Sequence, residues 1–320
     1  MRRLLPLLLC AAACGSGAGS PQEVVVVPAG ATLRAVADSL AAHGVITSKG
    51  WFRLVARVSR KERKLQTGAF SVARGAGGIA ALRILTGGHP LLTRFTVPEG
   101  FTLPEIAATA ERELGIPRDS FLLAARDTAL LRRYQVPAGS FEGFLRPDTY
   151  LFSRGVAAET VVREMAATFL AQWLPSWDLL AAGQGLDRLG VVTLASIIEG
   201  EARVDGDRPL IAAVFRNRLQ RGMPLQADAT VLYAMQRGNN ERKTRLYEKD
   251  YLFPSPYNTY LHPGLPPGPV GAPGSKSIAA VLHPAAVPFL YYVAGPDGHH
   301  IFSRTYAEHL RAVRRVRIAR

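Results

Sequence analysis

Leu194-Ala195-Ser196-Ile197-Ile198-Glu199-Gly200-Glu201-Ala202 is the stretch around which the rest of the sequence is arranged, an apolar run that ends in two carboxylates. From Leu194 onward, the apolar residues and Glu201 recur at i, i+3, i+4 and i+7, which places them on one face of a helix. At roughly 100° per residue, Glu199 lies about 200° from Glu201. The pattern predicts a helix that presents one acid, Glu201, to a cleft. A solvent-exposed helix end with two surface charges is the alternative.

Glu201 has the surroundings that acid/base chemistry requires. A carboxylate that continues an apolar face is partly removed from water, which raises its pKa and suits it to act as a general acid. Gly200 precedes it, and a glycine inside a helix costs roughly 0.5 to 1 kcal/mol relative to alanine. We therefore expect the helix to end or bend at Gly200, and we interpret Glu201 as a candidate catalytic acid/base.

The first twenty residues resemble an export signal. Residues 1–3 are Met-Arg-Arg, and a short apolar run follows before Gly15-Ser16-Gly17. This run is shorter than the roughly 20 apolar residues of a membrane-spanning helix. Cys14 stands in an Ala-Ala-Cys-Gly sequence that resembles a lipoprotein cleavage box, so lipidation of Cys14 and simple cleavage after a small residue both remain open. Cys10 and Cys14 are the only cysteines of the chain, which excludes a disulfide framework in the folded body.

The chain is basic, with a net charge of +14 over 320 residues, so its partners are expected to be anionic. Nucleic acid fits an exported chain poorly, and scattered arginines of an Arg-rich composition are the bland alternative. In the C-terminal tail, several arginines share one helical face, which favours attraction to phospholipid head groups or anionic wall polymers. These arginines are Arg311, Arg314, Arg315, Arg317 and Arg320.

A repeated frame, V-P-x-G-x-T-L, occurs at residues 27–33 and again at residues 97–103. Both copies predict a strand, a tight turn and an N-capped helix. With 48% hydrophobic residues, the chain is long enough for two domains. We predict an α+β fold with an anchor and linker at residues 1–20, a small N-terminal domain at 21–95 and a larger domain at 96–320.

Polar loops surround the central helix in the second half of the chain. Residues 141–150 combine aromatics with acids, and Phe144 and Tyr150 are either platforms for sugar rings or anchors of the loop to the core. Asp207 is predicted to cap a helix that runs to Gly222. Beyond it, three polar residues alternate with a period of two and are expected to share one face of an extended segment. They are Gln226, Asp228 and Thr230.

Several separate motifs, in order, resemble the endolytic murein transglycosylases of the MltG/YceG-like family. The resemblance spans residues 97–302. Its motifs are E-G-F-L-R-P-D-T-Y (142–150), S-I-I-E-G-E (196–201), F-R-N-R-L (215–219), G-M-P-L-Q-A-D-A-T-V (222–231), Y-N-T-Y (257–260), G-L-P-P-G (264–268) and His283-Pro284.

The resemblance implies an enzyme that cleaves the β-1,4 bond between N-acetylmuramic acid and N-acetylglucosamine and leaves a 1,6-anhydromuramyl end. It implies that Glu201, the second acid of its run, is catalytic, in agreement with the helical wheel. One carboxyl suffices for this reaction, so no metal or other cofactor is implied, and the histidines show no ligand spacing. Residues implied to bind or support the glycan are Glu142, Glu199, Asn217, Gln226, Asp228, Thr230, Tyr257 and Asn258.

The resemblance also implies a LysM-like N-terminal domain, glycan strands as substrate and peptidoglycan synthases as possible partners. It further implies that the protein is located in the cell envelope, anchored at the inner membrane. The sequence departs from the family pattern at Gly200, Ala202 and the short N-terminal run, where a spanning helix is usual. Two other functions stay open: a wall-binding scaffold without activity, and a hydrolytic muramidase using the same cleft.

Overall fold

The computed structural model describes residues 20–239, 243 and 245–318. Cys14 and nearly all of the predicted signal and linker segment lie outside these residues, as does Arg320 of the basic tail. The chain divides into two compact units, Met1–Leu91 and Leu92–Arg320. Helices and small sheets are mixed, which confirms the α+β class. Among the described residues, no helix combines the length and the apolar character needed to cross a bilayer.

The first unit is built on a two-stranded antiparallel sheet in which Val25 lies opposite Phe70. The side chains of Leu40, Phe52 and Phe70 are fully buried between the sheet and the helices. Thr32 caps the first helix by accepting from the amide of Ala35, as predicted. The elements are β1 (Gln22–Val27), α1 (Leu33–Ala42), α2 (Lys49–Val58), β2 (Gly68–Ala73) and α3 (Gly77–Gly87).

The second unit begins with β3 (Leu92–Thr96), which pairs antiparallel with β4 (Thr149–Ser153). The predicted boundary between the two domains lies after residue 95, whereas the structure places β3 in the second unit, which begins at Leu92. A second hairpin is formed by β5 (Tyr291–Ala294) and β6 (His300–Ser303). The helices are α4 (Leu103–Leu114), α5 (Arg118–Ala124), α6 (Thr128–Arg133), α7 (Ala158–Gln172), α8 (Pro175–Gly183), α9 (Arg188–Glu201), α10 (Arg208–Gln220), α11 (Asp228–Asn239), α12 (Ser275–Leu282) and α13 (Tyr306–Ile318).

The second copy of the repeated frame also forms the predicted strand, turn and capped helix. Glu105 accepts from the backbone amide of Thr102, which closes a capping box at the start of α4. Gly100 adopts a φ of +80° in the turn, a conformation that glycine reaches without steric cost. The frame therefore encodes the same local structure in each unit.

Helix α9 lies at the centre of the second unit. Every residue from Gly190 to Ile198 is buried, and α8, α10, α11 and α12 all pack against it. The sequence predicts one apolar face, but the structure encloses the helix on all sides, as expected for a helix without a polar stripe. Its last residue is Glu201, where the glycine signal predicted an end.

One prediction about local structure is wrong. Gln226, Asp228 and Thr230 do not share an extended segment, because α11 begins at Asp228 and Thr230 lies within its first turn. Asp207 does occupy the predicted N-cap position of α10, although its side chain makes no capping bond. Its carboxylate instead accepts from the backbone amide and the ring of His300.

The loop before β4 is anchored to the core. Phe144 is buried, and the hydroxyl of Tyr150 donates to the carbonyl of Arg146 at 2.7 Å. These contacts fit the anchoring alternative rather than the sugar-platform one. Gly143 has a φ of +78°, and a Cβ there would lie 2.4 Å from the ring of Pro269. This contact fixes the spacing between residues 141–144 and the proline-rich loop at residues 264–269.

Substituting Gly143 by alanine is expected to lower the free energy of unfolding by about 3 kcal/mol, because it combines a left-handed φ with a collision. Gly222→Ala is the matched control, since Gly222 has a φ of +65° and open space around it. The control should lose about 1 kcal/mol. Urea denaturation measures both variants, and equal losses would show that the contact with Pro269 contributes nothing.

Candidate active site

Glu201 stands at the C-terminal end of α9, where α11 crosses it closely. A Cβ on Gly200 would lie 2.7 Å from the Cβ of Ala229, so glycine at this position allows the two helices to approach. The Glu201 side chain is half-buried. The close approach places the N-terminal end of α11 beside the carboxylate of Glu201.

Two donors hold the Glu201 carboxylate. The amide of Ala229, in the first turn of α11, lies 3.4 Å from Oε1, and the hydroxyl of Tyr292 on β5 donates to Oε2 at 3.1 Å. Burial, and next the negative charge of Asp228, raise the pKa of Glu201 to about 7, against the opposing effect of the hydrogen bonds from Ala229 and Tyr292. Near neutral pH, Glu201 is therefore present in both protonated and ionised forms, as a group that first gives and then takes a proton requires.

Tyrosine hydroxyls donate to both carboxylates of the site, Glu201 and its neighbour Asp228. The hydroxyl of Tyr260 donates to Asp228 at 2.6 Å. Burial raises the pKa of Tyr260 and Tyr292 well above the usual value, and their carboxylate partners raise it further. Both tyrosines therefore keep their protons at neutral pH and act as fixed donors.

Arg218, on α10, connects two backbone segments beside the site. Its guanidinium donates to the carbonyls of Leu290 at 2.7 Å and Leu225 at 2.8 Å, which ties the start of the second hairpin to the turn before α11. Burial lowers its pKa. In that turn, Gln226 has a φ of +52°, a conformation that costs a non-glycine residue energy and often occurs at functional sites.

His300, on β6, supports Tyr292 from behind. Its amide and Nδ1 lie 2.7 and 2.9 Å from one carboxylate oxygen of Asp207. Its ring stands edge-on to the ring of Tyr292, with centroids 5.3 Å apart. Burial opposes ionisation of Asp207, but the bonds from His300 outweigh it and lower the Asp207 pKa. The hairpin that carries Tyr292 is thereby fixed to the start of α10.

These groups border a cavity of about 500 Å³. Glu201, Asp228 and Gln226 all line it, so the structure brings three of the predicted site residues together. Sequence reasoning missed several others. The remaining wall is formed by Gly200, Arg203, Arg218, Leu225, Ala229, Leu232, Tyr260, Tyr292, Val293, Ala294, His300 and His309.

Glu199 points away from this cavity, as the helical wheel predicts. Its carboxylate lies 2.9 Å from the guanidinium of Arg208, and it also accepts from Ser277 at 2.8 Å. Only 7% of the Glu199 side chain is exposed. This buried ion pair links α9, α10 and α12, so Glu199 supports the helix that delivers Glu201.

Three other predicted residues bind the protein's own backbone or side chains. Asn217 donates to the carbonyls of Val287 and Phe289, both at 2.9 Å. The amide of Asn258 donates to two carbonyls of the preceding loop, and Thr230 is hydrogen-bonded to Thr259. Each fixes a loop around the cavity without lining it.

Glu142 and Tyr257 line a second cavity of about 550 Å³. Glu142 accepts from the amide of Leu103 at 3.1 Å and from the hydroxyl of Tyr233 at 3.2 Å. Burial raises its pKa to about 7. Arg237 lies over the ring of Tyr257 at 5.3 Å. This cavity holds an acid, an aromatic pair and a cation at its wall.

A third cavity of about 470 Å³ shares walls with the other two. It has Ala229 and Leu232 in common with the Glu201 cavity, and Tyr233 and Gln236 in common with the Glu142 cavity. These four residues are spaced i, i+3, i+4 and i+7 and occupy one face of α11. The three cavities therefore follow that helix, which is about 18 Å long.

Among the residues that sequence reasoning missed are Arg218, Tyr260, Tyr292 and His300. Arg218 interrupts the apolar side of α10, and Tyr260 ends a motif already singled out, so both carried a weak signal. Tyr292 and His300 lie 91 and 99 positions beyond Glu201, on a hairpin that none of the quoted motifs includes. Their proximity to Glu201 depends on the tertiary fold alone.

Comparison with known proteins identifies similar chains. The model of the YceG-like family matches residues 25–315. A Bacillus subtilis protein named endolytic murein transglycosylase is 31% identical over 304 residues, covering 89% of this chain and 82% of that protein. A Streptococcus pneumoniae protein of the same name is 28% identical and covers 92% of this chain. This chain spans only 59% of the pneumococcal protein's length.

A solved structure is also similar. The crystal structure of a YceG-like protein from Listeria monocytogenes aligns with a TM-score of 0.63 at 28% sequence identity. The alignment covers 92% of this chain and the whole of the Listeria chain. The likeness thus extends over both units of the fold.

The raised pKa of Glu201 predicts a pH-dependent stability. Because its folded-state pKa of about 7 exceeds the ordinary value of 4.5, ionisation destabilises the folded state. As pH rises from 4.5 through 7, the wild type should lose on the order of 3 kcal/mol of stability relative to Glu201→Gln. Urea denaturation between pH 4 and 9 measures this. The exposed Glu248→Gln is the control, and a gain of wild-type stability with pH relative to Glu201→Gln would contradict the assignment.

Proposed function

The chain belongs to the YceG-like family, and we propose that it is an endolytic murein transglycosylase, the name that its relatives carry. It is a lyase of the cell envelope that acts on peptidoglycan and serves cell wall biogenesis. One observation carries this proposal: the carboxyl of Glu201 stands at the wall of a cavity with a pKa raised to about 7.

The reaction breaks the β-1,4 bond between N-acetylmuramic acid and N-acetylglucosamine. The glycosidic oxygen leaves with a proton, and the muramic acid's own C6 hydroxyl forms a new bond to C1 and loses its proton. The net proton change is zero, and water takes no part. One acid that gives a proton and receives one back is therefore sufficient, and Glu201 has the pKa for both steps.

Protonated Glu201 delivers its proton to the leaving oxygen, and the resulting carboxylate takes the proton of the C6 hydroxyl. Tyr292 keeps the carboxyl oriented through its bond at 3.1 Å. Asp228 faces the same cavity, where its negative charge stabilises the positive charge that develops on the sugar ring in the transition state. Tyr260 holds Asp228 in place.

An endolytic enzyme must accommodate a strand that continues beyond the cleaved bond. The cavities that follow α11 supply such a path, with Glu201 at one end and Glu142, Tyr233 and Tyr257 at the other. Aromatic faces and hydrogen-bonding groups suit sugar rings. We place the glycan strand along this face of α11.

We extend the proposal to the rest of the chain. The first unit is a LysM-like domain that helps to position the enzyme on peptidoglycan, and the N-terminal segment anchors it at the inner membrane, through lipidation of Cys14 or through the apolar run itself. Peptidoglycan synthases, which produce the nascent strands, are the proposed protein partners.

A hydrolytic muramidase is the second candidate, and one observation favours it. Asp228 shares the cavity with Glu201, and glycosidases that use water commonly need two carboxylates. The products distinguish the two reactions, because hydrolysis adds one water and leaves a reducing end. A non-catalytic scaffold would leave the glycan intact.

Glu201→Gln is expected to lower the rate of anhydromuramyl release from sacculi by about 10² to 10⁴-fold, because it removes the proton donor and acceptor. Mass spectrometry of the muropeptides measures the products, and pelleting with sacculi checks that glycan binding is retained. Glu248→Gln is the control and should keep full activity. Undiminished release by Glu201→Gln would disprove the assignment, and reducing ends from the wild type would favour the muramidase.

The pH profile of kcat/KM provides a second test, in which two variants should shift the profile in opposite directions. Activity should fall above the pKa of Glu201, because the acid must begin protonated. Tyr292→Phe removes a bond to the carboxylate, so the falling limb should move to higher pH by about one unit. Asp228→Asn removes a negative charge, so the limb should move to lower pH by a similar amount.

Tyr247→Phe serves as the control for loss of a phenolic hydroxyl, since Tyr247 is exposed and far in sequence from the hairpin. Its profile should coincide with that of the wild type. Shifts of Tyr292→Phe and Asp228→Asn in the same direction would show that a group other than Glu201 controls the profile.

A further inference from the structure

Helix α2 of the first unit carries an exposed apolar stripe. Trp51 and Leu54 are 53% and 52% exposed, and Val58 is 76% exposed. Their spacing of i, i+3 and i+7 places them on one face. The opposite face supplies Phe52 and Ala56 to the core. The helix is therefore apolar towards the core and also, along this stripe, towards solvent.

Cations surround the stripe. Residues 49–64 contain seven basic residues and one acid, Glu62, a net charge of +6. Within the described part of the chain, the ion pairs of this segment are Lys49 with Asp38 and Arg57 with Glu62. The remaining basic residues have no ion-pair partner among the described residues. They are Arg53, Arg60, Lys61, Arg63 and Lys64.

We propose that this face of α2 and the basic segment that follows it dock onto the surface of an anionic phospholipid membrane. Trp51, Leu54 and Val58 would enter the boundary between head groups and acyl chains, and the cations would contact the lipid phosphates. Tryptophan prefers this boundary, and a helix with an apolar face flanked by basic residues lies in the plane of the interface.

The combination of groups favours lipid over glycan. Leu54 and Val58 offer no hydrogen-bonding group to sugar hydroxyls, whereas an acyl boundary accepts both side chains. The C-terminal helix α13 is also basic; its Ala312 and Val316 are buried, whereas Tyr306, Leu310 and Ile318 are exposed. It contains no tryptophan, so the emission of Trp51 reports on α2. The surface contains no residue of the proposed active site, and its test is independent of catalysis.

Trp51 provides a direct probe in the full-length chain. The protein is mixed with phosphatidylcholine vesicles that contain brominated acyl chains, with or without phosphatidylglycerol. We expect Trp51 emission to be quenched on the anionic vesicles and restored at about 0.5 M salt, because screening weakens the attraction. Trp51→Phe identifies its share of the signal, since Trp173 and Trp177 lie in the second unit. An N-terminal anchor binds both vesicle types and does not produce this difference.

Two double variants test the two parts of the surface, Leu54→Ser with Val58→Ser and Lys61→Glu with Arg63→Glu. Each should weaken the quenching-derived affinity roughly tenfold. Matched controls are Leu123→Ser, at a residue 76% exposed like Val58, and Arg132→Glu with Arg133→Glu on α6. The controls should bind as the wild type does. Thermal unfolding checks that each variant is folded.

Three results would overturn the proposal. The first is Trp51 emission that is unchanged by brominated lipid. The second is equal quenching on neutral and anionic vesicles. The third is a loss of binding to purified sacculi in the surface variants while vesicle quenching persists, which would assign the surface to the glycan instead.

Discussion

Helix α9 ends in two acids inside a closely packed unit, and the removal of these carboxylates from water is the constraint on which the site depends. A buried charge is costly unless it is paired. Glu199 is paired with Arg208 at 2.9 Å. Glu201 accepts from two neutral donors, and burial together with the negative charge of Asp228 raises its pKa to about 7. The same helix end thus provides one structural acid and one reactive acid.

The choice of partners around Glu201 follows from this difference. An arginine beside it would stabilise the ionised form and remove the proton that the leaving oxygen needs. The protein places tyrosines there, and burial keeps them protonated. Arg218 is close by, but its guanidinium is used by the carbonyls of Leu290 and Leu225. The cation attracts Glu201 electrostatically, but its hydrogen bonds hold the backbone of the site and not the acid.

The polar residues of the motifs divide into two groups by whether their side chains line the cavity. Gln226 and Asp228 face the cavity, whereas Asn217, Thr230 and Asn258 are bound to the protein itself. The second group fixes loops that have little regular structure of their own. A motif rich in polar residues therefore identifies the site as a region, but residue type alone does not reveal which side chains touch the substrate.

The sequence by itself determined the α+β class, the strand-turn-helix units at both copies of the repeated frame, the end of α9 near Gly200 and the divergence of Glu199 from Glu201. These features depend on local periodicity, capping and glycine, which act over a few residues. Only the tertiary structure decided that Tyr292 and His300 stand beside Glu201, that α11 begins at Asp228, and that α9 is enclosed on every side. The contacts of Tyr292 with Glu201 and of His300 with Asp207 join residues more than 90 positions apart, and packing between elements, which no local pattern encodes, brings them together.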